Sequence, residues 1–259
     1  MNRQPAVAGT FYPANPIQLH QMLDQYLQDA DSGPKVPKAI IAPHAGYIYS
    51  GPVAASAYAR LKNAHNLITR VVIIGPSHRV AFRGLAVSKA QSFITPLGAI
   101  DVDQDAVETI AKLPFVDYLE QAHTYEHSLE VHLPFLQEML DDFKIVPIVA
   151  GDASPEQVSQ VIDALWGGDE TLIVISSDLS HYHDYATAKQ LDKATSAAIE
   201  HLQYEQLAIE SACGRVPVSG LLKLARKKSL TIKTIDLRNS GDTSGDKSSV
   251  VGYGAYVIE

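Results

Sequence analysis

His44, His78 and His181 each stand just past an apolar run that ends abruptly, and that shared position is the chain's main chemical signal. Ala39-Ile40-Ile41-Ala42 breaks at Pro43 and delivers His44. Val71-Val72-Ile73-Ile74 breaks at Gly75-Pro76 and delivers His78, and Thr171-Leu172-Ile173-Val174-Ile175 runs into Ser176-Ser177-Asp178-Leu179-Ser180-His181. Runs of this kind read as strands buried on both faces, and open parallel α/β sheets bind ligands beyond the carboxyl ends of their strands. Neutral imidazole is a common metal ligand. Two imidazoles and one carboxylate leave coordination positions open, an arrangement used for Fe(II) and oxygen chemistry, while zinc hydrolases use similar ligands. Asp178, Glu126, Glu130 and Asp242 are all open as the carboxylate. Asp178 shares a loop with His181, so it can also orient that imidazole for general-base work. His20, His65 and His201 stand in no such setting and read as surface or core residues.

A second concentration of polar chemistry is Ala122-His123-Thr124-Tyr125-Glu126-His127-Ser128-Leu129-Glu130-Val131-His132, with three histidines and two glutamates within ten residues. The segment Asn239-Ser240-Gly241-Asp242-Thr243-Ser244-Gly245-Asp246-Lys247-Ser248-Ser249 has neither phosphate-loop spacing nor the later Glu of a calcium loop, and reads as a structured active-site loop. Cys213 is the only cysteine. It excludes an internal disulfide and any multi-cysteine metal site within one chain, and reads as a small buried apolar residue.

The elements that must position these residues alternate between strand and helix. Asn15-Pro16 opens a helix to about Asp29. Strands are expected at Lys38 to Ala42, Arg70 to Ile74, Gly84 to Ser88, Lys144 to Val149, Thr171 to Ile175, Leu230 to Leu237 and Val250 to Ile258. Helices are expected from Ser50-Gly51-Pro52, over Asp103 to Leu113, over Glu156 to Leu165, from Tyr185 to His201, and ending near Lys228. Phe93 to Gly98 reads as an irregular connection. A helix capped by Ser128 would run to Leu140 but enclose Pro134, so it begins later or kinks. Phe11 and Tyr12 read as a packed N-terminal arm. The economical architecture is a single α/β domain over residues 1–259, with a mostly parallel central sheet flanked by helices.

Composition narrows the function classes. A net charge of -8 argues against nucleic-acid binding, which uses a basic surface. No apolar run approaches bilayer length, and the N-terminus lacks the apolar core of a signal peptide, so a cytoplasmic protein off the membrane is expected.

The motifs together make the chain resemble the Memo family. They are Ala8-Gly9-Thr10-Phe11-Tyr12-Pro13, Ala42-Pro43-His44-Ala45-Gly46-Tyr47, Gly75-Pro76-Ser77-His78, Glu126-His127-Ser128-Leu129-Glu130-Val131-His132-Leu133-Pro134, Ser176-Ser177-Asp178-Leu179-Ser180-His181 and Ser248-Ser249-Val250. That family is similar in fold to class III extradiol dioxygenases, which hold Fe(II) with two His and one Glu and use a further His as acid/base. The resemblance implies metal ligation by His44 and His78 and acid/base work by His181. Animal members have a cysteine ligand in the loop before the last strand, and counting back from Ser248-Ser249-Val250 puts Asp242 there. A carboxylate in place of a thiolate favours hard ions. Fe(II) is the first expectation, with Zn, Mn or Cu as alternatives.

Two function classes follow. One is a metal-dependent, dioxygenase-like oxidoreductase acting on a small aromatic or enediol substrate, with Tyr47, His127, Glu130, His132 and Asp178 lining or orienting the site. The other is a binding or adaptor protein on the same scaffold. For that class the resemblance implies a peptide ligand in animals, and in microbes association with radical-SAM and AMMECR-type pathway partners.

Overall fold

β-branched residues dominate the strands at the middle of the molecule, as burial on both faces favours. The computed structural model describes residues 1–243 and 245–259. In chain order its elements are β1 (Asn2–Arg3), α1 (Pro16–Gln28), β2 (Ala39–Ala42), α2 (Tyr47–Tyr58), β3 (Arg70–Pro76), β4 (Leu85–Val87), β5 (Ser92–Thr95), β6 (Gly98–Asp101), α3 (Gln104–Ile110), β7 (Val116–Tyr118) and α4 (Glu120–Thr124). There follow α5 (Leu133–Met139), β8 (Lys144–Ala150), α6 (Pro155–Ala164), β9 (Thr171–Ser176), β10 (His181–His183), α7 (Tyr185–Glu200), α8 (Arg215–Lys227), β11 (Ile232–Asn239), α9 (Ser240–Thr243) and β12 (Val250–Ile258).

The expected α/β architecture is present, with a mixed sheet. Strands β2, β9, β3 and β8 lie side by side in that order and run parallel. Toward the margins the pairing turns antiparallel: β12 pairs antiparallel with β2, β10 and β11, and β4 pairs antiparallel with β8 before β7, parallel to β4, closes that side. Helix α8 packs on β3 and β9 with α6 against it, while α2 packs on β2, β11 and β12 with α1 beside it. One continuous cluster of buried apolar side chains joins these layers. Among the described residues, no helix is long and apolar enough to cross a membrane.

Some stretches differ from their sequence reading. Residues 92–101 form the hairpin β5–β6, extended by β1, where an irregular connection is expected. Phe93 pairs with Ile100 and both are buried, so a local apolar pair outweighs the turn signals around Pro96. Between Glu130 and His132 the chain makes a 3-10 turn, and α5 begins only at Leu133. Pro134 then falls in the first helical turn, where its missing N–H costs nothing. Helix α2 starts at Tyr47, ahead of Ser50, and carries Pro52 inside it. The carbonyl that Pro52 leaves unpaired belongs to Ile48, which is exposed to solvent.

Candidate metal centre

The parallel strands set the site. His44 follows β2 and His78 follows β3, and β9 lies between them, ending in Ser176. The loops after β2 and β3 therefore meet over the end of β9. A fourth segment is admitted by Gly75, where an added Cβ would lie 2.6 Å from Ser128 Oγ and 2.9 Å from Leu129 Cδ2. Glycine thus lets residues 128–129 press against β3, held by the Ser128 hydroxyl donating to the Pro76 carbonyl at 2.8 Å. This contact delivers His127 to His78, with ring centroids 4.5 Å apart and nearly stacked.

His44, His78 and His127 form one cluster in which a ligand nitrogen of each lies within 4.8 Å of the others. Sequence reasoning placed His127 among the pocket residues. The structure puts it with the two expected ligands, and the local density of His and Glu was the signal for it. Asp242, expected as the third ligand, is not brought to this cluster: it is exposed, its Oδ1 accepts from the Tyr185 hydroxyl at 2.6 Å and its Oδ2 accepts from the Asn239 N–H at 3.0 Å. Its carboxylate secures the turn after β11. Ser244, in the same loop, lies outside the described residues.

Hydrogen bonds prepare two of the imidazoles for a metal. Ser176 Oγ donates its single proton to the Ser128 carbonyl at 2.6 Å, so it can only accept from His44 Nδ1, also at 2.6 Å. The proton of neutral His44 is thereby fixed on Nδ1, and Nε2 presents a lone pair. His78 Nδ1 lies 2.8 Å from Glu126 Oε1, while Glu126 Oε2 accepts the His78 backbone N–H at 2.6 Å. Burial alone would raise the Glu126 pKa, but hydrogen bonds and charge from His78 outweigh it and hold it down at about 2. The result is a carboxylate–histidine pair of the kind that supports metal ligands.

Burial, reinforced by neighbouring histidines, keeps His44 and His127 neutral. His44 is pushed well below the usual histidine range by burial first, then by His78, His127, His132 and His181. His127 is pushed down to about 4 by burial and then by the charge of His78, with Arg79 adding to the effect. His127 Nδ1 is buried and has no hydrogen-bond partner among the described residues. Glu126 Oε1 lies 3.5 Å from that atom, beyond a good hydrogen bond, and the neutral nitrogens of His44 and His127 fit a divalent metal, whose ligands must be deprotonated.

A second group shares His44. Cys213 Sγ lies 3.2 Å from His44 Nε2, and Asp178 Oδ2 lies 4.0 Å from it. Burial raises both proton affinities, pushing Asp178 up to about 7 and the Cys213 thiol above its ordinary value, where the Asp178 charge adds to the effect. The Cys213 thiol would have to lose its proton to hold a metal, whereas His44 and His127 are already neutral. Cys213, expected as a buried apolar residue, is in contact with the site.

The other expected site residues divide. Asp178 accepts the His44 backbone N–H at 2.7 Å. It therefore supports His44, and burial lowers the proton affinity of His181 against the opposing effect of the Leu179 backbone. His181 is half-buried and close enough that its charge would act on His44. It opens β10, where Tyr182 is the extra residue of a bulge opposite Val250 and Val251, with φ 64. Tyr47, Glu130 and His132 belong to the packing behind the site. Tyr47 is buried and donates to the Val131 carbonyl at 2.6 Å. His132 Nδ1 lies 2.8 Å from the Tyr58 hydroxyl. Glu130, fully buried, pairs with Arg3 and accepts from Ala6 N–H, Val7 N–H and the Tyr12 hydroxyl. It holds an N-terminal arm whose Phe11 ring packs 4.8 Å from His127.

Comparison with known proteins follows the same lines. A family model described as Memo-like protein matches residues 3–257. The chain is 38% identical to a MEMO1 family protein of Aquifex aeolicus over 97% of each chain, and 37% identical to one of Sulfolobus acidocaldarius over 98% of each. It is 38% identical to another, of Methanosarcina barkeri, over 99% of this chain and 100% of that one.

Proposed function

The chain belongs to the Memo family, and from that premise we propose that it is a metal-dependent oxidoreductase whose mononuclear centre is held by His44, His78 and His127. The observation that carries the reading is the meeting of three imidazoles at the carboxyl edge of the parallel strands, two of them braced through Nδ1. Fe(II) bound there would supply Lewis-acid and one-electron chemistry toward O₂ and a small aromatic or enediol substrate. Ser176 and Glu126 orient their imidazoles. His181, whose pKa is lowered by burial, is neutral near pH 7 and would accept a substrate hydroxyl proton. Asp178 and Cys213 close the β9 side of the centre.

The test is metal content after anaerobic loading with Fe(II), Zn(II) and Mn(II). Wild type is expected to hold about one ion per chain. His44→Ala, His78→Ala and His127→Ala should each lose most of it, and Asp242→Ala should keep it. Loss in Asp242→Ala with retention in His127→Ala would overturn this ligand set. Oxygen uptake with a catechol panel, with His181→Ala as control, then tests the chemistry. Stoichiometric metal without turnover would favour a binding protein on this scaffold.

A further inference from the structure

Helix α7 turns a carboxylate toward the sheet. Its buried positions are Ala188, Asp192, Thr195, Ser196, Ala198 and Ile199, the three-and-four spacing of a core-facing stripe, and the helix packs on β11 and β12. Asp192 is the one charged member of that stripe. It is 2% exposed and has no ion-pair partner among the described residues. Burial raises its pKa above the ordinary value, against the Ser180 N–H it accepts and the charge of His183. A buried carboxylate without a cation is costly, and its hydrogen bonds have to account for it.

Those bonds go to the loop that carries His181. Asp192 Oδ1 accepts the Ser180 N–H at 3.0 Å. On the other side of the carboxylate stands Gly252 of β12, where an added Cβ would fall 2.0 Å from Asp192 Oδ2, so only glycine admits the side chain. The backbone of Gly252 holds the same loop: the Leu179 N–H donates to its carbonyl and its N–H donates to the Ser180 carbonyl, each at 2.8 Å. At the head of the loop, Asp178 accepts the His44 N–H at 2.7 Å. The stretch from Asp178 to His181 is thus tied by one carboxylate to the end of β2 and by another to α7. Ser180 is 1% exposed, and without Asp192 its N–H would be buried and unpaired.

We propose that Asp192 is a positioning residue of the centre: by holding the Ser180 N–H between α7 and Gly252, it fixes where the His181 imidazole stands relative to His44. The proposal rests on the reading of His181 as the group that takes the substrate proton, and adds the residue that sets its place. Proton transfer requires the base within hydrogen-bond reach of its proton, and a misplacement of about 1 Å can cost a hundredfold in rate. Directly after His181 the chain passes through Tyr182 at φ 64, a conformation that persists only where the surroundings enforce it. The clamp on Ser180 is the nearest such restraint on the N-terminal side.

NMR titration of the His181 ring signal, identified by its loss in His181→Gln, tests this on metal-free and zinc-loaded protein. Asp192→Ala removes the acceptor, and Gly252→Ala drives the carboxylate from its place while leaving it in the chain. Each should raise the His181 midpoint toward the ordinary histidine value of about 6.5 as the ring gains solvent, and speed hydrogen exchange of the Ser180 amide on the order of tenfold. Asp192→Asn removes the charge but keeps an acceptor oxygen, and should titrate as wild type. Ser196→Ala deletes the α7 bond to the Tyr256 hydroxyl, loosening the same helix without touching Ser180, and should leave His181 unchanged. All four should hold as much zinc as wild type. An unmoved midpoint in whichever of Asp192→Ala and Gly252→Ala folds, an equal shift in Ser196→Ala, or Asp192→Asn behaving as Asp192→Ala would overturn the assignment. Wild type without bound metal, but with the expected His181 shifts, would sink the metal centre and support the positioning role.

Discussion

Tyr182 shows what a single residue contributes to the edge of this centre. It adopts φ 64 with its ring 78% exposed, and the His181 ring lies edge-on 5.7 Å away. The left-handed region is costly for a bulky side chain, and an exposed ring recovers little by packing. Tyr182→Gly is therefore expected to stabilise the protein by roughly 0.5–1 kcal/mol, the relief of the backbone outweighing the extra entropy of glycine in the unfolded chain. The midpoint of urea unfolding reads it, and a lower midpoint would mean that the ring packs against more than His181. The same scale explains why His44 and His78 were legible in the sequence: each follows a strand whose composition and break are local properties. The bracing groups were not. Ser176 and Ser128 work through a carbonyl and a hydroxyl brought together across 48 residues, and no local pattern marks such a pair.

At the scale of elements, the N-terminal arm and the segment before α5 form one unit around Glu130. That carboxylate has no exposure and collects Arg3, two backbone N–H groups and the Tyr12 hydroxyl, while Arg3 also donates to the carbonyls of His123 and Glu126. Breaking a buried pair by removing one partner costs about 3–5 kcal/mol, because the remaining charge stays buried. Arg3→Met should lose that much unfolding free energy and expose the arm to proteolysis ahead of Tyr12 under native conditions; an uncut arm would mean that the backbone donors suffice. Glu130 was expected in the substrate pocket, since a carboxylate between histidines carries the same signal whether it serves a ligand or an arm. What separates the two is its set of distant partners. Asp242 escaped for a related reason: its expected role depended on the register of a loop, and the turn after β11 uses its carboxylate to bind Asn239. Strands β2, β3, β8 and β9 were readable because burial on both faces demands continuous apolar runs. The hairpin of residues 92–101 was obscured by turn residues at its own tip.

For the molecule as a whole, the buried histidines make stability depend on pH in the metal-free protein. Burial pushes His123 down to about 4 and His132 down to about 3, against about 6.5 in an unfolded chain. Above that value neither state holds the proton and the stability is complete. As pH falls from about 6.5 toward the folded values, the unfolded state binds protons that the folded state refuses, so stability drops by at most about 1.4 kcal/mol per pH unit for each such histidine. Between pH 7 and pH 5 the urea midpoint should fall for wild type and fall less for His132→Gln; equal losses would remove His132 from the account. The sheet order carries a different consequence, one of shared dependence. Strand β12 is the partner of β2, β10 and β11 alike, and the pairing of His181 with Val251 is what makes β10 a strand. The two sides of the centre, His44 on one and His181 on the other, thus lean on a single strand far along the chain from both. Were β12 to come away, the ladder of β3, β8 and β9 would keep its own hydrogen bonds while both flanks of the centre lost theirs to β12.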